Sequence, residues 1–342
     1  MRAIMKLKPE SGLWMSDQPV PEIGPAELLI RIHRTAICGS DLHIYAWDEL
    51  AGANVPLPMI IGHEYAGEVI EVGKVVTNFK AGDRVTGEGH LVCGQCKTCQ
   101  TENQHLCSHA KGVGSTFPGA FADYLRLPAS NAVKLPDDIS DEHGSLLDAL
   151  GNAVHAVSMF EIAGRDVLVT GAGPIGIMAA AVAQRIGARS VVLTDLNPYR
   201  LQLARRLGVE RVVNLREQSM ADAMADAGVN EGFDVGLEMS GAAPAFNDQL
   251  VHVAPGGGVA LFGLTARATI DFPMNASVIK GLTLKGVYGR RMFETWREMI
   301  AMIQSGLDIT GIITHRLAPE DFDDGFKAMQ SGQAGKVVLQ WN

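Results

Sequence analysis

Four of the five cysteines in this chain lie close together, at Cys93, Cys96, Cys99 and Cys107, in the pattern C-x2-C-x2-C-x7-C. Four clustered thiolates are typical of a closed, tetrahedral zinc site that stabilises a fold. A pair of disulfides is the alternative. However, the x2 spacings bring three thiols too close together for that framework, and a fifth cysteine is left over. The spacing therefore predicts a structural zinc ion that closes a loop.

The fifth cysteine, Cys38, lies far upstream in the segment TAICGSDLH, and His63 and Glu64 follow it in IIGHEYAGEV. Thiolate, imidazole and carboxylate groups all bind zinc, and a mixed set of this kind is typical of an open, reactive metal site. A His-Glu pair by itself is more often a surface or core feature. The nearby cysteine and the glycine-bracketed turn favour a metal site, so the five cysteines together predict two zinc ions per chain.

Composition limits the class of protein. A chain of 342 residues exceeds the size that one hydrophobic core usually supports, so two domains are expected. The net charge of −9, without a basic block, argues against a nucleic-acid-binding surface. No apolar run reaches the roughly 18 residues that span a bilayer, and the N-terminal sequence lacks the apolar segment of a signal peptide. We therefore expect a cytoplasmic protein with neither a nucleic-acid nor a membrane partner.

The pattern of the chain changes near Gly151. Before it, short β-like runs such as ELLIRIH and AGEVIEVG are separated by Gly and Pro, as in an all-β or barrel-like unit. The segment GNAVHAVSMFEIAG then has helical periodicity. After it, strand and helix patterns alternate from DVLVT to TLKGVYG, which predicts a parallel sheet with crossover helices. The terminal KVVLQW predicts a strand that rejoins the first domain.

The segment VLVTGAGPIG places Gly171, Gly173 and Gly176 between a predicted strand and an apolar helix. In this context the glycines allow a tight turn, close approach of the backbone to a pyrophosphate, and close helix–strand packing. The helix N-terminus offers free N–H groups to the phosphates. Asp195 ends the next strand, where its carboxylate can bind ribose hydroxyls and repel a 2′-phosphate, so NAD is favoured over NADP. Arg200 argues weakly in the other direction, because an arginine can pair with that phosphate.

Taken together, the strings GHE and CGSD, the four-cysteine segment and GAGPIG resemble the zinc-containing medium-chain dehydrogenases over nearly the whole chain. The resemblance implies an α/β fold. Residues 1–150 would form a GroES-like, β-rich catalytic domain with a structural-zinc lobe at about 88–112. Residues 151–293 would form a Rossmann domain, a doubly wound parallel sheet that binds NAD. The C-terminal segment 294–342 would return to the catalytic domain.

The same resemblance assigns roles to single residues. It implies that the catalytic zinc is bound by Cys38, His63 and Glu64. Ser40 and His43 would form a relay for the hydroxyl proton, with Asp148 near the metal as a supporting acid. The alternatives are an exposed loop histidine at His43 and a helix-stabilising acid at Asp148. Beside the three glycines and Asp195, the implied cofactor-binding residues are Ile175, Arg200, Phe262, Gly263, Leu264, Val287 and Tyr288.

Several strings extend the resemblance into loops, among them HIYAWDE, GEGHLVCGQC and YGRRMFETW. They imply NAD-linked oxidation of the β-hydroxyl of L-threonine to 2-amino-3-ketobutyrate by a homotetramer. Glu88, His90 and Arg290 are candidate partners for the charged groups of that substrate. A polyol or 2,3-diol dehydrogenase built from the same parts is one alternative. An NAD-binding sensor with a vestigial site is another, but a vestigial site has no need of a complete metal set and relay.

Overall fold

The structure is a computed structural model that describes residues 1–265 and 269–341. The chain divides into two compact units. The first comprises Met1–Ala149, Arg291–Gln304 and Ile313–Asn342, and the second comprises Leu150–Arg290 and Ser305–Ile312. Within the described residues, no helix combines the length and apolar character that crossing a membrane requires.

The strands are given first, in chain order. Those before the long central helix are β1 (Arg2–Lys6), β2 (Trp14–Asp17), β3 (Glu27–Ala36), β4 (Met59–Ile60), β5 (Glu64–Val72), β6 (Arg84–Gly87), β7 (His90–Leu91), β8 (Lys111–Gly112), β9 (Tyr124–Pro128) and β10 (Ala132–Lys134). Those after it are β11 (Asp166–Thr170), β12 (Ser190–Asp195), β13 (Arg211–Asn214), β14 (Phe233–Glu238), β15 (Val253–Leu261), β16 (Thr283–Gly286), β17 (Ile313–Leu317) and β18 (Lys336–Gln340).

The helices follow in the same order. They are α1 (Gly39–Ala46), α2 (Glu49–Asn54), α3 (Lys97–Gln100), α4 (Asp141–Ser158), α5 (Pro174–Ile186), α6 (Pro198–Arg206), α7 (Met220–Asp226), α8 (Ala243–His252), α9 (Met274–Lys280), α10 (Glu294–Gln304) and α11 (Phe322–Gln330). The central helix α4 begins ten residues before the segment in which its periodicity was expected. Its start is stabilised by Ser140, whose Oγ accepts a hydrogen bond from His143 N at 3.2 Å.

The first unit is built around β3. Leu28, Ile30 and Ile32 alternate along it and are fully or almost fully buried in the hydrophobic core, as expected for a strand with one face toward the interior. The strand pairs antiparallel with β5, β9 and β18. In these ladders Ala36 lies opposite Glu64 and also opposite Val338. This register brings the chain just beyond β3 next to the starts of β5 and β18.

The second unit contains a parallel sheet with the strand order β13-β12-β11-β14-β15-β16 in the described part of the chain. This order is that of a doubly wound, dinucleotide-binding sheet. The ladders align the carboxyl ends of neighbouring strands, with Thr170 opposite both Thr194 and Glu238, and Glu238 opposite Leu261. The prediction of a parallel α/β unit after a β-rich one is therefore confirmed.

Candidate active site

The four clustered cysteines converge at one point of the first unit. The Sγ atom of Cys96 lies 3.5 Å from that of Cys99 and 3.7 Å from that of Cys107. The Sγ atom of Cys93 lies 3.6 Å from that of Cys107 and 4.0 Å from that of Cys99. A tetrahedron with Zn–S bonds of about 2.3 Å has edges of roughly 3.8 Å. The distances are far longer than an S–S bond of about 2.05 Å. The four thiols thus fit a zinc ion, and all are free.

The lobe also favours the thiolate form of one ligand. A hydrogen bond from the Thr98 hydroxyl, together with one from the backbone N–H of Cys99, lowers the pKa of Cys96 to about 6. The Thr98 Oγ1 atom lies 3.2 Å from the Cys96 sulfur. Because zinc binds thiolate rather than thiol, this contact prepares the site for a metal.

The second metal-binding group is assembled by the register of β3 and β5. The ligand atoms of Cys38, His63 and Glu64 all lie within 4.8 Å of one another, although they come from two segments of the chain. Cys38 follows β3 and Glu64 begins β5, and the pairing of Ala36 with Glu64 brings them together. A thiolate, an imidazole and a carboxylate at this separation fit a zinc ion with room for a further ligand.

Electrostatics favour the deprotonated form of one candidate ligand, Cys38, and raise the pKa values of the other two, His63 and Glu64. Burial by itself raises the pKa of the Cys38 thiol, but the charges of His63 and Lys336 outweigh it and bring the pKa to about 6. These charges therefore favour the thiolate form of Cys38. Burial raises the pKa of Glu64 to about 8, against the opposing effect of Lys336. A divalent cation would favour the ionised carboxylate, since ligands bind metals in their deprotonated form.

Lys336 is an unexpected neighbour of this group. Its Nζ lies 2.6 Å from each carboxylate oxygen of Glu64 and 3.4 Å from the carbonyl oxygen of Ile37. Both side chains are almost completely buried. Burial lowers the pKa of Lys336, but the Glu64 carboxylate and the Cys38 thiolate raise it by more. Lys336 thus holds the Glu64 carboxylate in one orientation from the side of β18.

Asp41 supports the group from α1. Its Oδ2 accepts a hydrogen bond from Cys38 N at 2.9 Å, and its Oδ1 lies 3.7 Å from His63 Nδ1. The Oδ1 atom is buried and makes no hydrogen bond within the described residues. Metal-binding histidines commonly direct their second ring nitrogen toward a carboxylate, which fixes the ring. Asp41 is placed to do this for His63.

Asp148 lies in the middle of α4 and is 5% exposed. Its charge acts on His63 and Glu64, so it is close to the metal-binding group. It is not one of the three residues whose ligand atoms lie within 4.8 Å of one another.

The two residues expected to carry a proton lie on α1, directly after Cys38. Ser40 is exposed near the start of this helix. His43 lies one turn further on, with 49% of its side chain exposed, and its Nδ1 contacts the carboxylate of Asp48. Both residues thus face solvent in the first unit.

The residues considered for substrate charges are differently placed. Glu88 is fully buried and accepts hydrogen bonds from His90 Nδ1 at 2.7 Å and from Trp296 Nε1 at 3.1 Å. Its carboxylate is therefore already engaged by protein groups. Arg290 is 2% exposed and is the last residue of the longer segment of the second unit.

In the second unit, the glycine-rich turn has the expected backbone features. Gly171 has a φ of +99°, which a residue with a side chain rarely adopts. A Cβ atom at Gly176 would lie 1.9 Å from the carbonyl oxygen of Gly171, so only glycine fits there. A Cβ at Gly173 would meet nothing within 4 Å, which leaves open space before the N-terminus of α5. This arrangement fits a dinucleotide pyrophosphate.

Asp195 closes the same turn. Its Oδ2 accepts a hydrogen bond from Ala172 N at 2.7 Å, and its Oδ1 accepts two from Leu196 N and Asn197 N at 2.6 and 2.8 Å. Each carboxylate oxygen offers about two acceptor positions, so Oδ2 retains one for a further donor. Arg200 lies on the following helix, α6.

Glu238 is a buried acid at the carboxyl end of β14, and sequence reasoning did not identify it. Its side chain accepts hydrogen bonds from Ser240 N at 3.0 Å and Gly241 N at 3.2 Å. Its carbonyl oxygen accepts two more from Phe262 N and Gly263 N, each at 3.0 Å. Burial raises the pKa of Glu238. The acid thus fixes two loops at the edge of the sheet where the cofactor is expected.

The other residues expected at the cofactor site follow the same strand ends. Ile175 lies in the first turn of α5. Leu264 is 81% exposed and Tyr288 is 60% exposed. Val287 is buried, and its N–H donates to Leu261 O at 2.9 Å. The sheet thus brings all these segments to one edge of the second unit.

Comparison with known proteins places the chain among enzymes. The family description "Alcohol dehydrogenase GroES-like domain" matches residues 24–137, and "Zinc-binding dehydrogenase" matches residues 174–305. The L-threonine 3-dehydrogenase of Escherichia coli is 55% identical to the chain over 342 residues, with 100% of each protein covered. The chain belongs to the zinc-containing medium-chain dehydrogenase family. The predicted family, the GroES-like and Rossmann fold class, and the expectation of an enzyme are all confirmed for this dehydrogenase.

Solved structures of relatives share the fold of this dehydrogenase. An alcohol dehydrogenase from a Thermus species is 31% identical with a TM-score of 0.90, and the match covers 99% of both chains. The 2R,3R-butanediol dehydrogenase of Bacillus subtilis is 25% identical with a TM-score of 0.89, and the match covers 100% of this chain and 99% of that one.

Three acids and bases of this dehydrogenase escaped the sequence analysis, and two had a signal that could have revealed them. Asp41 is part of the CGSD string and follows Cys38 by three residues, the spacing of a capping box. Lys336 is a lysine at the first position of β18, directly before three apolar residues. For Glu238 the sequence shows only an acid at a strand end.

Proposed function

We propose that this dehydrogenase oxidises the β-hydroxyl of L-threonine to 2-amino-3-ketobutyrate, with NAD as hydride acceptor. The proposal rests on the 55% identity to L-threonine 3-dehydrogenase over the full length of both proteins. At that identity, the two sequences agree at many positions besides the zinc-binding and cofactor-binding residues that members of the family share. The Cys38, His63 and Glu64 group supports it, because it is the type of site that such an oxidation requires.

Two zinc ions per chain belong to this proposal. One is held by the four clustered cysteines and stabilises their lobe. The other is held by Cys38, His63 and Glu64, where zinc supplies a Lewis acid that lowers the pKa of the substrate hydroxyl. Lys336 and Asp41 keep Glu64 and His63 in place, and Asp148 adds negative charge nearby.

The proton of the hydroxyl leaves through Ser40 and His43. A serine hydroxyl can accept one proton while giving up another, so Ser40 passes the charge on without becoming ionised. His43 suits the exit because an imidazole gains and loses a proton near neutral pH. Its half-exposed ring can release the proton to water.

NAD rather than NADP is the proposed cofactor. The Gly171–Gly176 turn and the N-terminus of α5 would hold the pyrophosphate, and Asp195 would accept hydrogen bonds from the adenosine ribose. The remaining acceptor position on Asp195 Oδ2 suits a hydroxyl and opposes a 2′-phosphate. In this proposal the first unit binds both zinc ions and the second unit binds the cofactor.

A cytoplasmic homotetramer is proposed on separate grounds. All five cysteines are free thiols, which suits a reducing compartment.

Helix α9 exposes three apolar side chains, with Met274 at 62%, Val278 at 67% and Ile279 at 85%. Exposed apolar clusters are typical of contact surfaces. Light scattering should give a particle of four times the 36.5 kDa chain mass.

A polyol or 2,3-diol dehydrogenase is the second candidate. It is favoured by the structural similarity to 2R,3R-butanediol dehydrogenase over 100% of the chain. A vicinal diol offers the same reactive hydroxyl but lacks the carboxylate and ammonium of an amino acid.

Steady-state NADH formation from a panel of substrates separates the two. L-Threonine should exceed 2,3-butanediol, sorbitol and 2-butanol in kcat/KM by a factor on the order of 10⁴, because a site built for polar groups rejects analogues that lack them. D-Threonine should be poor, since inversion at the α-carbon displaces the ammonium. The allo-isomer should also be poor, since inversion at the β-carbon misdirects the hydride. A higher kcat/KM for a diol would refute the threonine assignment and leave the family assignment intact.

A further inference from the structure

The proposed relay residue His43 has an acidic neighbour on the next helix. Helix α1 ends at Ala46, Trp47 adopts a left-handed conformation with φ 55° and ψ 49°, and Asp48 is the N-cap of α2. The backbone N–H of Asp48 donates to the carbonyl oxygen of His43 at 3.3 Å. The turn at Trp47 therefore folds Asp48 back onto the last turn of α1.

The two carboxylate oxygens of Asp48 have different partners. Its Oδ1 accepts a hydrogen bond from Ala51 N at 3.1 Å, which caps α2. Its Oδ2 is in hydrogen-bond contact with Nδ1 of His43. A helix cap needs only one oxygen, so the contact with His43 is additional to the structural role.

The junction that carries this pair is held from several sides. Lys6 Nζ donates to Gly12 O at 2.9 Å and to Tyr45 O at 3.2 Å, and it lies 5.0 Å from the centre of the Trp47 ring. Tyr45 Oη donates to Asp323 on α11 at 2.6 Å.

The ionisable groups on the surrounding elements are Arg2 and Lys6 on β1, Glu49 on α2, and Asp323, Asp324 and Lys327 on α11. Asp323 and Lys327 pair with each other at 2.6 Å. Asp48 is thus the acid in direct contact with the His43 ring among the contacts described.

We propose that Asp48 is a positioning residue for the proton relay. By accepting a hydrogen bond from Nδ1, it fixes the neutral His43 ring as the Nδ1–H tautomer and leaves Nε2 free to accept a proton. When the proton arrives, an O–H bond breaks and an Nε2–H bond forms. The Asp48 carboxylate then faces a positively charged ring until water removes the proton. The inference rests on the relay in the proposed function.

Replacement by asparagine separates this role from capping. In Asp48→Asn the amide oxygen still caps α2, because asparagine is as good an N-cap as aspartate. The amide NH2 then faces His43 Nδ1 as a donor and favours the opposite tautomer, with Nε2 protonated and unable to accept. The same substitution in a Ser-His-Asp triad preserves the geometry and slows turnover by the same mechanism.

Three variants of Asp48 test the proposal on the zinc-loaded enzyme, with the substrate that the wild type oxidises best. Asp48→Asn and Asp48→Ser keep a cap and lose the carboxylate, so kcat should fall about 10- to 100-fold while KM and the urea midpoint stay near wild type. Asp48→Glu keeps a carboxylate and weakens the cap, so the urea midpoint should fall while kcat is largely retained. Glu49→Gln removes a neighbouring charge without contact to His43, and it should leave kcat unchanged.

A double-variant cycle with His43→Asn decides whether Asp48 acts through His43. If it does, His43→Asn/Asp48→Asn should be no slower than His43→Asn alone, and the acid limb of the pH–kcat profile should move in Asp48→Asn. If the two losses multiply, or if Asp48→Asn turns over at the wild-type rate while His43→Asn is slow, the proposal is wrong. A wild-type rate in His43→Asn would instead refute the relay itself, and Asp48 with it. Use of a diol in place of L-threonine would refute only the substrate assignment.

Discussion

Lys336 and Glu64 form a buried ion pair 272 residues apart in sequence, with Lys336 Nζ 2.6 Å from both carboxylate oxygens. The pair lies within the group that is expected to bind the catalytic zinc, since Glu64 is one of its three ligand candidates. The contact forms because β18 and β5 both pair with β3, where Ala36 lies opposite both Glu64 and Val338, two residues after Lys336. Lys336 therefore links the last strand of the chain to the metal-binding group.

In chelator-treated protein above pH 8, where Glu64 is ionised, Lys336→Met should destabilise the protein by about 3–5 kcal/mol, because removing one partner of a buried ion pair leaves the other charge without compensation. Lys336→Arg is the matched control. It keeps the positive charge, so its free energy of unfolding should fall by less. The measurement is the free energy of unfolding in urea. A Lys336→Met protein as stable as wild type would show that Glu64 does not need this partner.

Features formed by residues close together in sequence were predicted, and contacts between residues far apart in sequence were missed. The Gly171–Gly176 turn and Asp195 lie within one strand–turn–helix–strand segment, so spacing alone placed them together. The four-cysteine lobe is equally local. Lys336 was missed because its contact with Glu64 depends on which strands flank β3, and a single sequence does not carry that information.

The central helix shows a different limit. Its first ten residues were not predicted because Gly144 interrupts the pattern, and glycine is unfavourable in a helix. In the structure, a Cβ at Gly144 would lie 2.6 Å from a methyl carbon of Leu135 and 2.9 Å from Ala66 Cβ, so close packing requires glycine there. Tertiary packing therefore explains why the helix includes Gly144, one turn before Asp148. Roles assigned to Ser40, His43 and Asp148 stay predictions.

The two proposed zinc ions should differ in their effect on the protein. Cys96→Ser removes one ligand of the closed four-sulfur site and should impair folding, since binding energy at such a site is folding energy. Cys38→Ser should abolish turnover and leave a folded protein. Circular dichroism and kcat measured on both variants separate the two roles.

Elemental analysis gives the stoichiometry directly. Freshly purified, active wild type should contain about two zinc ions per chain, and Cys38→Ser should contain about one. Mild chelation should remove the ion of the open site first. A single metal ion in fully active wild type would contradict the two-site proposal.

Asp195→Asn should narrow the preference for NAD. The asparagine side-chain oxygen can still accept a hydrogen bond from a backbone N–H near the Gly171 turn. The negative charge that opposes a 2′-phosphate is lost. The ratio of kcat/KM for NAD to that for NADP should therefore fall well below its wild-type value. The reason to choose asparagine over glycine is structural, because the carboxylate also accepts three backbone hydrogen bonds. An unchanged ratio would place the discriminating charge elsewhere.

Lys6 gives a prediction for alkaline pH. It is fully buried in the first unit, where its Nζ donates to the carbonyl oxygens of Glu10, Gly12 and Tyr45. Burial lowers the pKa of Lys6 to about 8, although the charge of Glu10 acts in the opposite direction. In the unfolded chain the pKa of a lysine is about 10.4. Between these values the unfolded state binds more protons than the folded state.

The free energy of unfolding of the wild type should therefore rise relative to Lys6→Met between about pH 8 and pH 10.4, by up to about 1.4 kcal/mol per pH unit. Below pH 8 both states carry the charge, so the difference between the two proteins should stay constant. Other titrating groups cancel in that difference. Urea unfolding of both proteins at intervals from pH 7 to pH 10.5 measures it. A flat difference across the whole range would mean that Lys6 keeps its ordinary pKa in the folded protein, and that its three carbonyl partners fully compensate for burial of the charge.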